Sequence, residues 1–163
     1  MTAYQPAEWH DLFGAVLGAA AALLGLIFVA VSINIKQIIA EKHLPSLAGQ
    51  SITLLFSLML ICMVTLAPGQ PRLSLGIELS IIGVVVTGVM LIVVLRRHGA
   101  EFLMKWTIQN LLLALVSTVP LVIGGISLVV GAGGGLYWVL IELVCAFAIS
   151  IYYAWILLIE ILR

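Results

Sequence analysis

Two acidic side chains, Glu78 and Glu142, stand inside long apolar runs of the sequence, and Asp11 stands at the start of another. A charged side chain at the centre of a bilayer costs about 2.5–3.5 kcal/mol on insertion scales, so such groups generally have a partner or a path to water. Apart from Arg72 in a nearby loop, we expect no Lys or Arg at their depth. We therefore predict that protons, bound cations or water neutralise these three ion-binding candidates.

Polar side chains in the other apolar runs could continue a path away from the acids. On an α-helix, positions 46, 50, 53 and 57 share one face, positions 110 and 117 share another, and position 153 lies within about 20° of position 142. The residues predicted to line the path are Gln50, Thr53, Ser57, Asn110, Ser117 and Tyr153, with Lys36 at its exit. Ser and Thr can instead bond to the preceding helical turn, which leaves a structural role open.

Small residues recur at helical spacing in the first apolar run, among them Gly14, Gly18 and Ala22. Gly18 and Ala22 lie close to a line that begins at Asp11 and ends at Lys36. Such a stripe could border a narrow path, but close packing of helix backbones is the favoured interpretation.

A second small-residue face, in the third run, contains Gly76, Ser80 and Gly83 and is also predicted to pack against a helix. At 100° per residue, Glu78 lies roughly opposite this face. Glu78 should therefore point into lipid, into a second cavity or across a subunit boundary, and the first choice is costly. This geometry favours an oligomer or a pore.

The composition predicts the environment of these residues. Of the 163 residues, 64% are hydrophobic and 9% are charged, and the mean hydropathy is +1.30. Soluble domains are roughly half apolar and a quarter charged, so the solvent of this chain is predicted to be lipid. Seven basic residues balance seven acidic ones, which gives no general attraction to nucleic acid.

The apolar residues form five runs, each separated from the next by Pro, Gly or charged residues, and each long enough for a transmembrane helix. We expect one all-α membrane domain over residues 1–163, with spans at about 12–33, 47–67, 73–95, 106–130 and 136–159. Four spans would follow if one short break were only a kink. Pro120, inside the fourth run, should bend that helix.

The basic residues predict the orientation, because short cytoplasmic loops are enriched in Lys and Arg. With the amino terminus outside and the carboxyl terminus inside, only Arg72 lies on the outer side. The inner side then holds Lys36, Lys42, Arg96, Arg97, Lys105 and Arg163.

Motifs for cofactor or metal chemistry are lacking. Cys62 and Cys145 lie within predicted spans and form no Cys-x-x-Cys or Cys/His ligand pattern. The three histidines fall at or beyond the membrane edges, which disfavours a haem between helices. We find no phosphate loop and no paired nucleophile and base, so we expect no cofactor and no enzyme activity.

Two segments resemble a known family. The sequence from Glu8 to Phe13, and that from Ser32 to Gln37 followed by Leu44-Pro45, look like a family of short bacterial membrane proteins, some of them labelled modulators of the FtsH protease. The resemblance implies a multi-pass protein of the bacterial cytoplasmic membrane with a regulatory partner. It carries no catalytic or ligand residues to this chain.

Two functions are therefore consistent with the sequence. One is a homo-oligomeric channel or carrier for protons or small cations, in which Glu142, Glu78 and Asp11 attract the ion as acidic rings do in cation channels. The other is a non-conducting accessory or regulatory subunit of a membrane complex, whose carboxyl groups are protonated or hydrogen-bonded at helix contacts.

Overall fold

A computed structural model describes residues 2–41, 44–95 and 104–161, and in these ranges every regular element is helical. Two short 3₁₀ turns, Thr2–Tyr4 and Pro6–Trp9, come first. The α-helices are α1 His10–Ile33, α2 Ile35–Ala40, α3 Leu44–Thr65, α4 Arg72–Leu95, α5 Met104–Val116, α6 Val119–Val130 and α7 Leu136–Ile161.

Five helical segments are long and apolar enough to cross a membrane, and they cover residues 6–33, 44–65, 72–94, 108–130 and 136–159. The predicted all-α bundle of five spans is thereby confirmed. The fourth span is two helices, α5 and α6, which meet at Ser117 and Thr118. Pro120 stands in the first turn of α6, where its missing N–H would have had no helical partner.

Helix α3 lies at the centre of the bundle. It packs against α1, α4 and α7, while α6 fills the space between α4 and α7. In the most apolar stretch of α3, 56% of the residues are buried, against 11% for the first span. Helix α1 is therefore a peripheral helix held by one face.

The outward faces of the helices carry large apolar side chains, including Ile81 and Val84 on α4 and Val144 and Leu158 on α7. Such a surface would be insoluble around a water-soluble domain, but it matches the hydrocarbon of a bilayer. The chain is accordingly a multi-pass membrane protein by its architecture.

Helices α4 and α6 approach each other closely because their contact is made of small residues. A Cβ atom added at Gly76 would lie 2.8 Å from the carbonyl oxygen of Gly125 and 2.9 Å from the backbone nitrogen of Val129. One added at Gly83 would lie 2.7 Å from Val122 Cγ2. The structure thus places the small-residue face of α4, with the partly buried Ser80, on α6.

The segment before α1 folds back over the turn between α6 and α7. Gly134 N–H donates a hydrogen bond of 3.0 Å to the Tyr4 hydroxyl, and the rings of Trp9 and Tyr137 meet edge to face at 5.1 Å. Gly135 has a φ of +48°, and a Cβ there would collide with the backbone of Ala3. We call the end of the bundle covered by this segment the amino-terminal side and the other end the carboxyl-terminal side.

The close contact between α4 and α6 should not tolerate a methyl group. We expect Gly76→Ala to lower the free energy of unfolding by about 1–3 kcal/mol, the usual cost of overpacking. Gly88→Ala on the same helix is the matched control, because a Cβ there meets nothing within 4 Å. Denaturant titration in mixed micelles measures both, and equal effects would contradict this description of the contact.

Five spans place the segment before α1 and the end of α7 on opposite sides of the membrane. Of the basic residues used to predict orientation, Lys42, Arg96, Arg97, Arg163 and the side chain of Lys105 lie outside the described residues. We expect a reporter that is active only in the cytoplasm to work after α7 and to fail before α1. The reverse pattern would overturn the predicted orientation, and activity at both ends would exclude five spans.

Candidate functional site

Glu142 is buried in the middle of the bundle. It stands on the face of α7 that also carries Val139, Ala146 and Tyr153, and its exposed fraction is 0%. Neither carboxyl oxygen has a hydrogen-bond partner among the described residues. Helices α3 and α6, the main neighbours of α7, contain no Asp, Glu, Lys, Arg or His. Glu142 therefore has no countercharge from either helix.

The depth of Glu142 follows from the contact between α6 and α7. A Cβ at Gly124 would lie 3.0 Å from Val139 Cγ2, so these positions are level. The two helices run in opposite directions, and moving three residues deeper along each reaches Leu121 on α6 and Glu142 on α7. Glu142 is thus level with the first turn of α6, beside the break in the fourth span.

Glu78 has a different environment, because it has a partner within the chain. It is half-buried, and its carboxylate accepts a hydrogen bond from the side-chain amide of Gln70, in the loop between α3 and α4. Of the three surroundings that the helical wheel allowed, a cavity is the one consistent with this contact, and neither lipid nor a second subunit is needed to explain the position of Glu78. Glu78 lies on α4, which α6 separates from α7, and no hydrogen bond joins it to Glu142.

A cavity of about 290 Å³ opens at the amino-terminal side next to this hydrogen bond. Its lining residues come from the segment before α1, the start of α1 and the end of α3 with the following loop: Pro6, Ala7, His10, Thr65, Leu66, Ala67, Pro68, Gly69 and Gln70. Asp11 is fully exposed, and its carboxylate lies 3.9 Å from the imidazole of His10. We call this cavity the vestibule. Two of its lining residues contact predicted acids, since Gln70 donates a hydrogen bond to Glu78 and the His10 imidazole lies near the Asp11 carboxylate.

A second group of buried polar side chains lies toward the carboxyl-terminal side. Gln50 on α3 and Tyr153 on α7 are fully buried, and Asn110 on α5 is 5% exposed. Each keeps one polar atom without a partner: Gln50 Oε1, Tyr153 Oη and Asn110 Nδ2. The Ser51 hydroxyl donates to the carbonyl of Ser150 at 3.1 Å, which makes Gln50 and Tyr153 level within about one turn. We call Gln50, Asn110 and Tyr153 the lower polar group.

The remaining residues of the predicted path differ in their surroundings. Ser57 and Ser117 are fully buried, and their hydroxyls donate to carbonyls of the preceding turn, those of Leu54 and Ala114. The half-buried Thr53 does the same toward Gly49, and Lys36 is exposed on α2. These hydroxyls thus satisfy themselves locally.

The structure adds residues that our reading of the sequence missed. Ser51 and Ser150 join α3 to α7, and Gln70 binds Glu78. Ser51 could have been proposed from the sequence, because it is a polar residue in a predicted span and directly follows Gln50. No spacing rule pointed to Gln70, since its contact depends on how the loop folds back on α4.

The small-residue stripe of α1 meets no other helix in the part of the chain that the structure describes. Gly14, Gly18 and Ala22 are exposed, on the side of α1 opposite its buried residues Phe13 and Ala20. A Cβ added at Gly14 or Gly18 meets nothing within 4 Å. Their predicted role in helix packing therefore requires another molecule.

In the described part of the chain, no three His, Cys, Asp or Glu side chains are arranged to hold a metal ion. Cys62 and Cys145 are free thiols. The chain matches no protein-family model, no curated protein and no solved structure.

Substitutions at Glu142 and at Ser51 should change stability with opposite sign. Glu142 is buried without a partner among the described residues, whereas Ser51 makes a hydrogen bond between α3 and α7. A buried polar group without a partner costs about 1–3 kcal/mol, so Glu142→Met, of similar volume, should raise the free energy of unfolding by that order. Ser51→Ala removes a hydrogen bond between helices and should lower it by about 0.6 kcal/mol. Unfolding of both variants in mixed micelles checks the signs, and a destabilised Glu142→Met would mean that the carboxyl group has a structural partner.

Proposed function

We propose that this protein is a membrane transporter, either a channel or a carrier, that moves protons or small cations by way of Glu142. The observation that carries the proposal is a fully buried carboxyl group in the middle of the bundle that has no partner in residues 2–41, 44–95 and 104–161. Ionisable residues inside membrane spans are rare and energetically costly, and they commonly mark ion pathways and proton relays.

Two further features support a pathway that reaches Glu142. The break between α5 and α6 lies beside it, and interrupted helices next to a buried ionisable group are typical of secondary transporters. The vestibule opens at the amino-terminal side, and its lining residue Gln70 donates a hydrogen bond to Glu78. In this proposal Asp11 and Glu78 attract cations to the opening, and Glu142 binds the transported ion.

A second candidate function is favoured by the exposed stripe of α1. Helix contacts in membranes depend on small residues, and Gly14, Gly18 and Ala22 present such a surface to the outside of the chain. A regulatory subunit of a bacterial membrane complex, as the resemblance to modulators of the FtsH protease implies, would dock there. The same surface would serve a homo-oligomer of the transporter.

The first experiment is flux into liposomes that contain the purified protein. We expect movement of protons or monovalent cations above that of empty liposomes, loss of it in Glu142→Gln, and a reduced rate in Glu78→Gln. Glu41→Gln is the matched control, because Glu41 is an exposed carboxylate outside the spans.

No flux above empty liposomes over a range of pH and voltage would overturn the transport proposal. A membrane protein that copurifies with the wild type in fixed stoichiometry, and is lost with Gly18→Leu, would then support the accessory subunit.

A further inference from the structure

We infer that the species bound and carried at Glu142 is the proton, an inference that rests on the proposed transport function and narrows it to one substrate. The packing around the carboxyl group and the chemistry of the surrounding helices lead to this choice.

The Glu142 carboxyl group has no free space beside it. Its exposed fraction is 0%, and neither carboxyl oxygen has surface accessible to water or a hydrogen-bond partner within the described segments. A Na⁺ or K⁺ ion bound there would need several oxygen atoms around it to replace its hydration shell, as the carbonyl oxygens of a K⁺ channel do. A proton needs one lone pair and no added volume. The packed bundle therefore has room for a proton and none for a coordinated cation.

The available ligands lead to the same conclusion. The helices packed on this part of α7 are α3 and α6, and their only titratable side chain is the thiol of Cys62. Asp11 on α1 is exposed, and Tyr4 in the first 3₁₀ turn holds Gly134. A cation would find one carboxylate there, whereas hard cations are usually held by several oxygen ligands.

Transfer at Glu142 is a simple exchange of protons with water. The neutral acid donates its O–H proton to a water molecule on one side, which leaves a carboxylate and a hydronium ion. The carboxylate then takes a proton from a hydronium ion on the other side. One proton crosses per cycle, and only O–H bonds break and form.

The distance to the lower polar group shows that this exchange requires the helices to move. Tyr153 lies eleven residues beyond Glu142 on α7, about 16 Å at 1.5 Å per residue. The residues between them on the buried face include Ala146 and Ile149. The hydroxyl groups of Ser51 and Ser150 also lie along this stretch, but both donate to backbone carbonyls, those of Ser150 and Ala146. We therefore expect water to reach Glu142 from the carboxyl-terminal side only when the contact between α3 and α7 opens. The protein thus acts as a carrier, and the lower polar group binds the entering water.

Liposomes with a pH dye inside, in parallel with liposomes that hold a Na⁺ dye, separate the substrates. The membrane potential is set with K⁺ and valinomycin, and we measure the potential at which internal pH stays constant. We expect it to move by about 59 mV for each tenfold change in the proton gradient, the full value for one charge. Changing external Na⁺ tenfold should leave it unchanged, and no Na⁺ should enter.

Three variants link the flux to the carboxyl group. Glu142→Gln should lose at least nine-tenths of the proton flux, whereas Glu142→Asp, which keeps the acid, should retain a measurable part. Infrared spectra should show the carbonyl band of a protonated acid in wild type and lose it in Glu142→Gln. Tyr153→Phe should slow the flux several-fold without removing this band. Unfolding in mixed micelles shows that each variant is folded.

The outcomes separate this inference from the proposed function. Na⁺ or K⁺ flux that depends on Glu142, without proton flux, would overturn the proton and leave transport standing. Proton flux that survives Glu142→Gln in a folded protein would overturn Glu142 as the binding group. No flux of any ion would overturn both.

Discussion

The hydrocarbon around this chain offers no hydrogen bonds, so each polar group in a span must find a partner inside the bundle. The backbone does so by forming helices, and the hydroxyl groups of Ser57, Ser117 and Thr53 do so by donating to the preceding turn. Among the described residues, Glu142 is the side chain for which this constraint is most clearly unmet, since both of its oxygens lack a partner there. The energetic cost of that exception is the reason to assign it a function.

The bundle keeps Glu142 isolated by the way its helices pack. The small residues of α4 and α6 let these two helices approach so closely that α6 occupies the space between α4 and α7. Glu78 and Glu142 are thereby held on separate helices with different surroundings. One is half-buried beside a loop amide near the vestibule, and the other is enclosed by apolar helices. Glu78 and Glu142 thus stand at similar positions in their apolar runs but differ in burial and in hydrogen bonding.

Much of the fold could be predicted because membrane helices have a strong signal. The five spans, an interruption of the fourth span near Pro120 and the small-residue face of α4 each follow from apolar length, a missing N–H or residue size. The surroundings of Glu78 could not be predicted in this way. The helical wheel placed it opposite the packing face, but the wheel describes one helix and says nothing of the loop that brings Gln70 to it.

The sequence by itself determined that the chain is a helical membrane protein and that Glu142 stands within a span, because hydropathy and helix length are properties of each segment alone. Only the tertiary structure decided that Glu142 is fully buried without a partner among the described residues, that Glu78 has a partner, and that the stripe on α1 faces outward. The physical reason is that partners, burial and space depend on which helices become neighbours. That choice is made by packing over the whole bundle, through contacts between residues far apart in the chain such as Ser51 and Ser150.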